Sequence, residues 1–225
     1  MMIIIITLRL SIHNDDVYHR RDAMNEVASL KITDQQTQKN REKILQKASR
    51  MFRERGADGP SVGDLMSAAG FTHGGFYNHF DSKTALLGEA LQHAFRQMEA
   101  VRKQIPTTAG IVRSYLSEEA RKAPGSTCPA AALAGDVSRQ PESIKDIFAD
   151  GIEEMISSLL QSSSGAVADR AQSIDLVCRM VGALMLARAM PNDRSLAEEI
   201  LRTATARCLA DLRAPTTVKQ SDRKR

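Results

Sequence analysis

The chain has no tryptophan, and aromatic residues make up only 4% of its 225 positions. Long runs of Val, Ile, Thr and Tyr are scarce, which removes the material of a β-sandwich or barrel. The three cysteines, Cys128, Cys178 and Cys208, are far apart and odd in number. That excludes a disulfide framework and any familiar metal-ligand spacing, and it suits a reducing, cytoplasmic compartment. The apolar run Ile3–Ile6 is too short to span a bilayer and has no basic residue before it, so neither a membrane span nor a signal peptide is expected. There is no Gly-rich phosphate loop, no HExxH pair and no nucleophile elbow. His13, His19, His73, His79 and His93 form no ligand pattern. An enzyme is therefore not expected, nor a metal or cofactor.

What is present is Ala, Leu, Met, Glu, Arg and Gln, the residues of helices. A helical period begins at Lys39. Ile44, Leu45, Ala48, Met51 and Phe52 share one face, and Arg41, Lys43, Lys47, Arg50 and Arg53 are assigned to the surface. Gly56 to Pro60 stops this helix. Ser61 then caps a second helix, with Asp64 completing a capping-box pair and Val62, Leu65, Met66 and Ala69 as its buried stripe. Gly70 ends it after two turns. A third short helix is expected from Thr72 or His73 to Phe80, with Thr72 as its cap. A fourth opens at Asp81 or Ser82 and stops before Pro106. Beyond it, helices are expected over 109–122, 130–139, 142–161, 168–190 and 195–212, the last capped by Ser195. Breaks are expected at Pro124-Gly125-Ser126, Pro141, Ser162–Gly165 and Pro191-Asn192-Asp193.

Between Lys39 and Lys83 there are eight basic and five acidic side chains, a bias that fits a polyanionic partner as well as a solvated face. The arrangement is more informative than the charge. A capped short helix, a glycine turn and a second short helix follow the pattern of a helix-turn-helix, whose second helix enters the major groove.

The run Gly70-Phe71-Thr72-His73-Gly74-Gly75-Phe76-Tyr77-Asn78-His79-Phe80-Asp81-Ser82-Lys83 resembles the DNA-binding signature of the tetracycline-repressor (TetR) family. In that signature a Tyr-x-His-Phe core is followed by Ser-Lys opening the next helix. The resemblance covers residues 39–95; beyond them it extends only to a layout of further helices. It implies an all-α fold, with an N-terminal three-helix DNA-binding domain over 38–84 and a larger helical effector-binding and dimerisation domain over 85–213. Residues 1–37 and 214–225 read as a disordered extension and a basic disordered tail.

The resemblance also assigns a site on double-stranded operator DNA. Ser61, Thr72, Tyr77, His79 and Lys83 would meet phosphates or the groove, and Thr72, His73, Gly74, Gly75 and Asn78 would face base edges. Phe76 and Phe80 read as core. The two glycines each cost about 1 kcal/mol in an exposed helix interior. They would admit a close backbone approach to DNA or leave the helix to order on binding. A homodimer is implied, through helices 168–190 and 195–212, whose first member has more apolar residues than one buried face needs. A small hydrophobic effector is implied as well, with Met98, Tyr115, Phe148, Ile152, Met155 and Met185 as candidate contacts. Cys128, at an expected helix start where a thiolate is stabilised, is a candidate for sensing oxidants or electrophiles, with a plain core thiol as the alternative. Cys178 and Cys208 read as inert residues of apolar helices. A helical protein-binding adaptor is the rival from another class.

Overall fold

A computed structural model of the chain describes residues 12–161, 166–191 and 195–212, with side chains from residue 34 onward. Every regular element among the described residues is helical. In chain order they are α1 (Ile12–Arg55), α2 (Val62–Ala69), a 3-10 helix (His73–Asn78), α3 (Lys83–Lys103), α4 (Thr108–Tyr115) and α5 (Glu118–Lys122). A 3-10 turn (Pro124–Ser126), α6 (Pro129–Val137), α7 (Glu142–Leu160), α8 (Arg170–Ala189) and α9 (Ser195–Asp211) complete the set.

By internal contacts the chain divides into residues 1–43 and 44–225. The first unit contributes the N-terminal part of α1. There the backbone departs from the expected unstructured extension, because it is helical from Ile12. No Gly or Pro lies between Ile12 and Arg55, so nothing in the local sequence stops the helix once it has begun. Residues 1–11, the Ser162–Gly165 loop, Asn192, Asp193 and the 214–225 tail lie outside the described residues.

The second unit holds two hydrophobic cores. The first gathers Ile44, Ala48 and Phe52 of α1, Leu65 and Met66 of α2, Phe76, Phe80, and Leu86 and Leu91 of α3, and it extends to Leu133, Val137 and Ile144. The second is built from α4 to α9 around Val112, Met155, Leu159, Met180, Leu184 and Leu201. Phe148 and Ile152 of α7 touch both. The junction is tight. A Cβ added at Gly151 would stand 2.3 Å from the Phe95 ring, and one at Gly88 would stand 3.0 Å from Ile147. These glycines let α7 lie close along α3, the helix that leads directly out of the 3-10 segment.

Local chemistry explains most boundaries. Gly56 and Gly70 hold φ of 80° and 81°, the left-handed conformation that ends α1 and α2. Three starts differ from expectation. Residues 109–122 form two helices, because Ser117 accepts a hydrogen bond from the Ala120 amide at 3.1 Å and opens α5 with Glu118 and Glu119 in its first turn. Asp169 accepts from the Gln172 amide at 2.8 Å, and this cap sets the start of α8 at Arg170 and not at 168. Ser195 is the first residue within α9 and not a cap before it.

Candidate functional site

The geometry of residues 61–83 follows from their caps. Ser61 Oγ accepts from the Asp64 amide at 3.1 Å, and the Ser61 amide donates to Asp64 Oδ2 at 2.9 Å, a complete capping box. The hydroxyl also donates to Asp64 Oδ2 at 2.7 Å, which holds that carboxyl below its ordinary pKa. Ser61 is thus already engaged in the helix start, and this limits what its side chain can offer a phosphate. At the other end of α2 the Gly70 amide bonds Ser67 O and the Phe71 amide bonds Met66 O, both at 2.9 Å. The chain then turns into the next segment.

That segment is a 3-10 helix over His73–Asn78, ending before the expected Phe80, and Thr72 makes no side-chain cap. The reason lies in Gly74 and Gly75, which give no side-chain support to the wider α turn. The segment is anchored from below. Phe76 is completely buried and Phe80 nearly so, their rings 5.8 Å apart, and both join the core of α1, α2 and α3. With those two rings inward, the intervening residues are turned outward. Thr72, His73, Gly74 and Asn78 are exposed, Gly75 and His79 partly so, and Tyr77 is 70% exposed. Tyr77 is held edge-on to Phe76 at 5.2 Å, and His79 rests against Phe71 and Phe80 at 6.3 and 6.5 Å. A Cβ at Gly74 would meet nothing, so the backbone there is open to close approach.

Ser82 caps α3 by accepting from the Ala85 amide at 3.0 Å. Lys83, the first helical residue, donates to Asp58 O at 3.2 Å and so ties the helix start to the α1–α2 loop. Nine residues assigned from the sequence, Ser61, Thr72, His73, Gly74, Gly75, Tyr77, Asn78, His79 and Lys83, are therefore all at least partly exposed along one short stretch of backbone. The surface offers hydroxyl, imidazole, amide and ammonium donors beside the N-terminus of a long helix, where an anion is favoured.

One basic residue is not where the sequence put it. Arg53, assigned to the outer face of α1, is only 5% exposed. Its guanidinium donates to Ser49 O at 3.1 Å, to Gln97 Oε1 at 3.3 Å and to Thr127 O at 2.7 Å. Desolvation by burial lowers its pKa to about 10. It ties α1 to α3 and to the segment before α6. Gly125 closes the same contact, since a Cβ there would fall 2.4 Å from Glu54 Oε1 and 2.7 Å from Arg50 Cγ.

A cavity of about 150 Å3 lies on the other side of that segment. Its wall includes Met98, Arg102, Tyr115, Thr127, Cys128 and Leu184. Of the six candidate effector contacts, Met98 and Tyr115 line it. The other four do not: Met155 is completely buried in the second core, Phe148 stacks edge-on to Phe95 at 5.7 Å, Ile152 joins the two cores, and Met185 points outward at 37% exposure. The polar wall members Arg102, Ser114, Ser126 and Thr127 are not legible in the sequence as effector contacts.

Cys128 is buried at the N-cap of α6, with Pro129 following, but its thiol makes no capping bond. The helix-start stabilisation expected from the sequence is not realised through a hydrogen bond. Cys208 is also buried, and desolvation raises its pKa. Cys178 is exposed on α8. Among the described residues no group of three or more His, Cys, Asp or Glu could hold a metal, and no helix is long and apolar enough to cross a membrane.

Comparison with known proteins agrees with this geometry. Residues 44–90 match the family model of bacterial regulatory proteins, tetR family. Over 59 residues the chain is 41% identical to the HTH-type transcriptional repressor DhaR of Mycobacterium sp. (strain GP1), covering 26% of this chain and 30% of DhaR. Over 77 residues it is 34% identical to the HTH-type transcriptional repressor KstR2 of Mycolicibacterium smegmatis, covering 34% of this chain and 38% of that protein. The chain thus spans well under half the length of these curated relatives. Solved structures are similar over much more of the chain. The reduced form of E. coli NemR superposes with a TM-score of 0.63 at 20% identity, over 76% of this chain and 95% of NemR. A TetR-family transcriptional regulator from Agrobacterium tumefaciens gives 0.60 at 20% identity, over 76% and 98%.

Proposed function

We propose that this chain, which belongs to the tetR family of bacterial regulatory proteins, is a cytoplasmic transcriptional regulator that binds double-stranded operator DNA through residues 61–83. The observation that carries the reading is the outward array from Thr72 to Lys83, fixed from beneath by Phe76 and Phe80. Tyr77, His79 and Lys83 suit phosphate contacts, which set register. Thr72, His73 and Asn78, with the bare backbone at Gly74, suit base edges. Repression fits the names of the relatives, both transcriptional repressors.

Two such surfaces are needed to read two half-sites, and α8 and α9 supply a face for a homodimer. Along α8, Ile174, Cys178, Gly182 and Leu186 recur every fourth residue on an exposed or half-exposed stripe, and a Cβ at Gly182 would meet nothing. On α9, Leu196, Ile200 and Ala204 line an open groove of about 620 Å3 with Arg179, Arg207 and Asp211 at its edge. Paired with a second copy, the four helices would close both faces.

A small effector in the cavity bounded by Thr127 and Cys128 would release the DNA. Thr127 carries the coupling: its carbonyl holds Arg53 of α1, and its hydroxyl accepts from Arg188 of α8. A ligand that moves this residue acts on the DNA-binding helices and the dimer helix together. A thiol route through Cys128 draws on its place in the same wall, and a Cys128→Ser protein that still releases DNA on treatment with an electrophile ends it. A random-sequence DNA selection followed by footprinting tests the main reading. Enrichment of a palindrome with half-sites one helical turn, or a multiple of it, apart supports it. Failure of the folded dimer to enrich any duplex overturns it.

A further inference from the structure

Behind the wall of the cavity stands cationic charge that no ion pair among the described residues balances. Two guanidinium groups converge on Thr127. Arg53 donates to its carbonyl at 2.7 Å, and Arg188 donates to its hydroxyl and, at 2.7 Å, to Ala120 O. Among the described residues neither has a carboxylate within ion-pair distance; every acceptor they reach is neutral. Arg102 differs: it also lines the cavity, but Glu99 pairs with it at 2.6 Å. Arg188 retains buried Nε and Nη1 groups with no hydrogen-bond partner, and the Tyr115 hydroxyl is equally buried, with only the Cys128 thiol, a weak partner, beside it. Leu184, one helical turn before Arg188 on the same face of α8, lines the cavity together with Tyr115, Ala120 and Thr127. The Arg188 guanidinium therefore stands behind the wall, held by two wall residues, Ala120 and Thr127, with Tyr115 and Cys128 of the same wall as its electrostatic neighbours.

Buried donors left unsatisfied are rare in folded proteins, and a buried cation without a counter-charge is unfavourable. Burial accordingly lowers the Arg188 pKa and raises that of the Tyr115 hydroxyl. The rest of the wall is apolar, with Met98, Ile105, Ile111 and Leu184 leaving room for a short hydrocarbon or aromatic body.

Resting on the reading of this chain as an effector-controlled DNA-binding regulator, we propose that the cavity takes a small organic anion, a carboxylate on a compact apolar body. Its oxygens accept from Arg188 and from the Tyr115 hydroxyl, and its body lies against Ile105, Ile111 and Leu184. This sharpens the small hydrophobic effector expected from the sequence. It also supplies a release route, because an anion on Arg188 competes with the Thr127 hydroxyl for the same guanidinium.

Calorimetric titration of the full-length protein with benzoate and hexanoate, each against its neutral isostere benzamide or hexanamide, tests the proposal. The acids should bind at least about tenfold more tightly than the amides, the effect of roughly one charge-assisted hydrogen bond. Arg188→Met should abolish that preference. Tyr115→Phe removes a hydroxyl whose one neighbour is the weakly bonding Cys128 thiol and so should fold normally; it should weaken the acids with little effect on the amides. Amides that bind as well as acids, binding of neither, or an undiminished preference in both variants would overturn the proposal. The same preparations are assayed for salt-sensitive DNA binding. DNA binding without a carboxylate preference defeats only the anion site, whereas no binding to any duplex defeats the regulator reading itself.

Discussion

Adding one methyl group at Gly151 tests how the two cores are joined. In Gly151→Ala the new Cβ would fall 2.3 to 2.4 Å from three ring atoms of Phe95. Carbon atoms rest at about 3.5–4.0 Å, so the ring or the helix must give way by more than about 1 Å. The ring has little freedom, because Phe95 is only 3% exposed and Phe148 stacks on it edge-on at 5.7 Å. Overpacking of this kind costs about 1–3 kcal/mol. For a protein of this size that lowers Tm by roughly 2–12 °C. Thermal unfolding followed by circular dichroism measures it, and Phe95→Leu supplies the second edge of a double-mutant cycle. Phe95→Leu should cost less in the Gly151→Ala background than alone, with a coupling of about 0.5–3 kcal/mol. An unchanged Tm for Gly151→Ala, or strictly additive substitutions, would refute the close approach of α7 to α3.

Three further outcomes follow from particular residues. Leu186→Arg places a charge on an exposed apolar position of α8, 57% exposed in the single chain, and should give a folded monomer by analytical ultracentrifugation; an unperturbed dimer would place the interface elsewhere. Ser61→Ala removes the α2 capping box and should cost about 1 kcal/mol in denaturant unfolding, with the DNA affinity of the folded protein unchanged; a weakened affinity in the folded variant would restore Ser61 to the DNA contacts. Glu118 has its pKa lowered to about 2, first by its hydrogen bond from Arg121, from an ordinary value near 4.5. A depressed carboxyl contributes stability above its unfolded pKa and loses it as pH falls through the folded one. Glu118→Gln should therefore narrow its stability gap to wild type between pH 4.5 and 2, and a gap constant across that window would remove the Arg121 interaction from stability.

The segment from α1 to the start of α3 is readable because its signals are local. Ser61 with Asp64, Gly70 in the left-handed region, and Ser82 before α3 act over three or four residues, and the structure uses each as read. Phe76 and Phe80 fall to the core by the same short-range pattern. The short helix expected to reach Phe80 is a 3-10 helix over 73–78, and the Gly74-Gly75 pair weakens the α alternative there. Arg53 departs for a different reason. Charge normally marks the solvent side of a helix, and its decisive partners, Gln97 and Thr127, are 44 and 74 residues away. The cavity is illegible in a similar way. Large apolar residues such as Met155 and Phe148 look like effector contacts in the sequence but fill core, because where helices leave a gap depends on packing and not on residue type. The orphaned donors of Arg188 and Tyr115 become visible only once burial is known.

The most direct test of DNA recognition is a mobility shift with duplex from just upstream of the protein's own gene, at two salt concentrations, comparing wild type with Tyr77→Phe. Tyr77 is 70% exposed, so the change should leave the fold intact and remove one hydroxyl donor to a phosphate. A bond to a charged group contributes about 1.5–3 kcal/mol, so affinity should fall roughly 10-fold or more. Wild-type binding should weaken steeply with added salt as counterions are released. Binding that ignores salt, or a Tyr77→Phe protein indistinguishable from wild type, would contradict the placement of this surface on DNA.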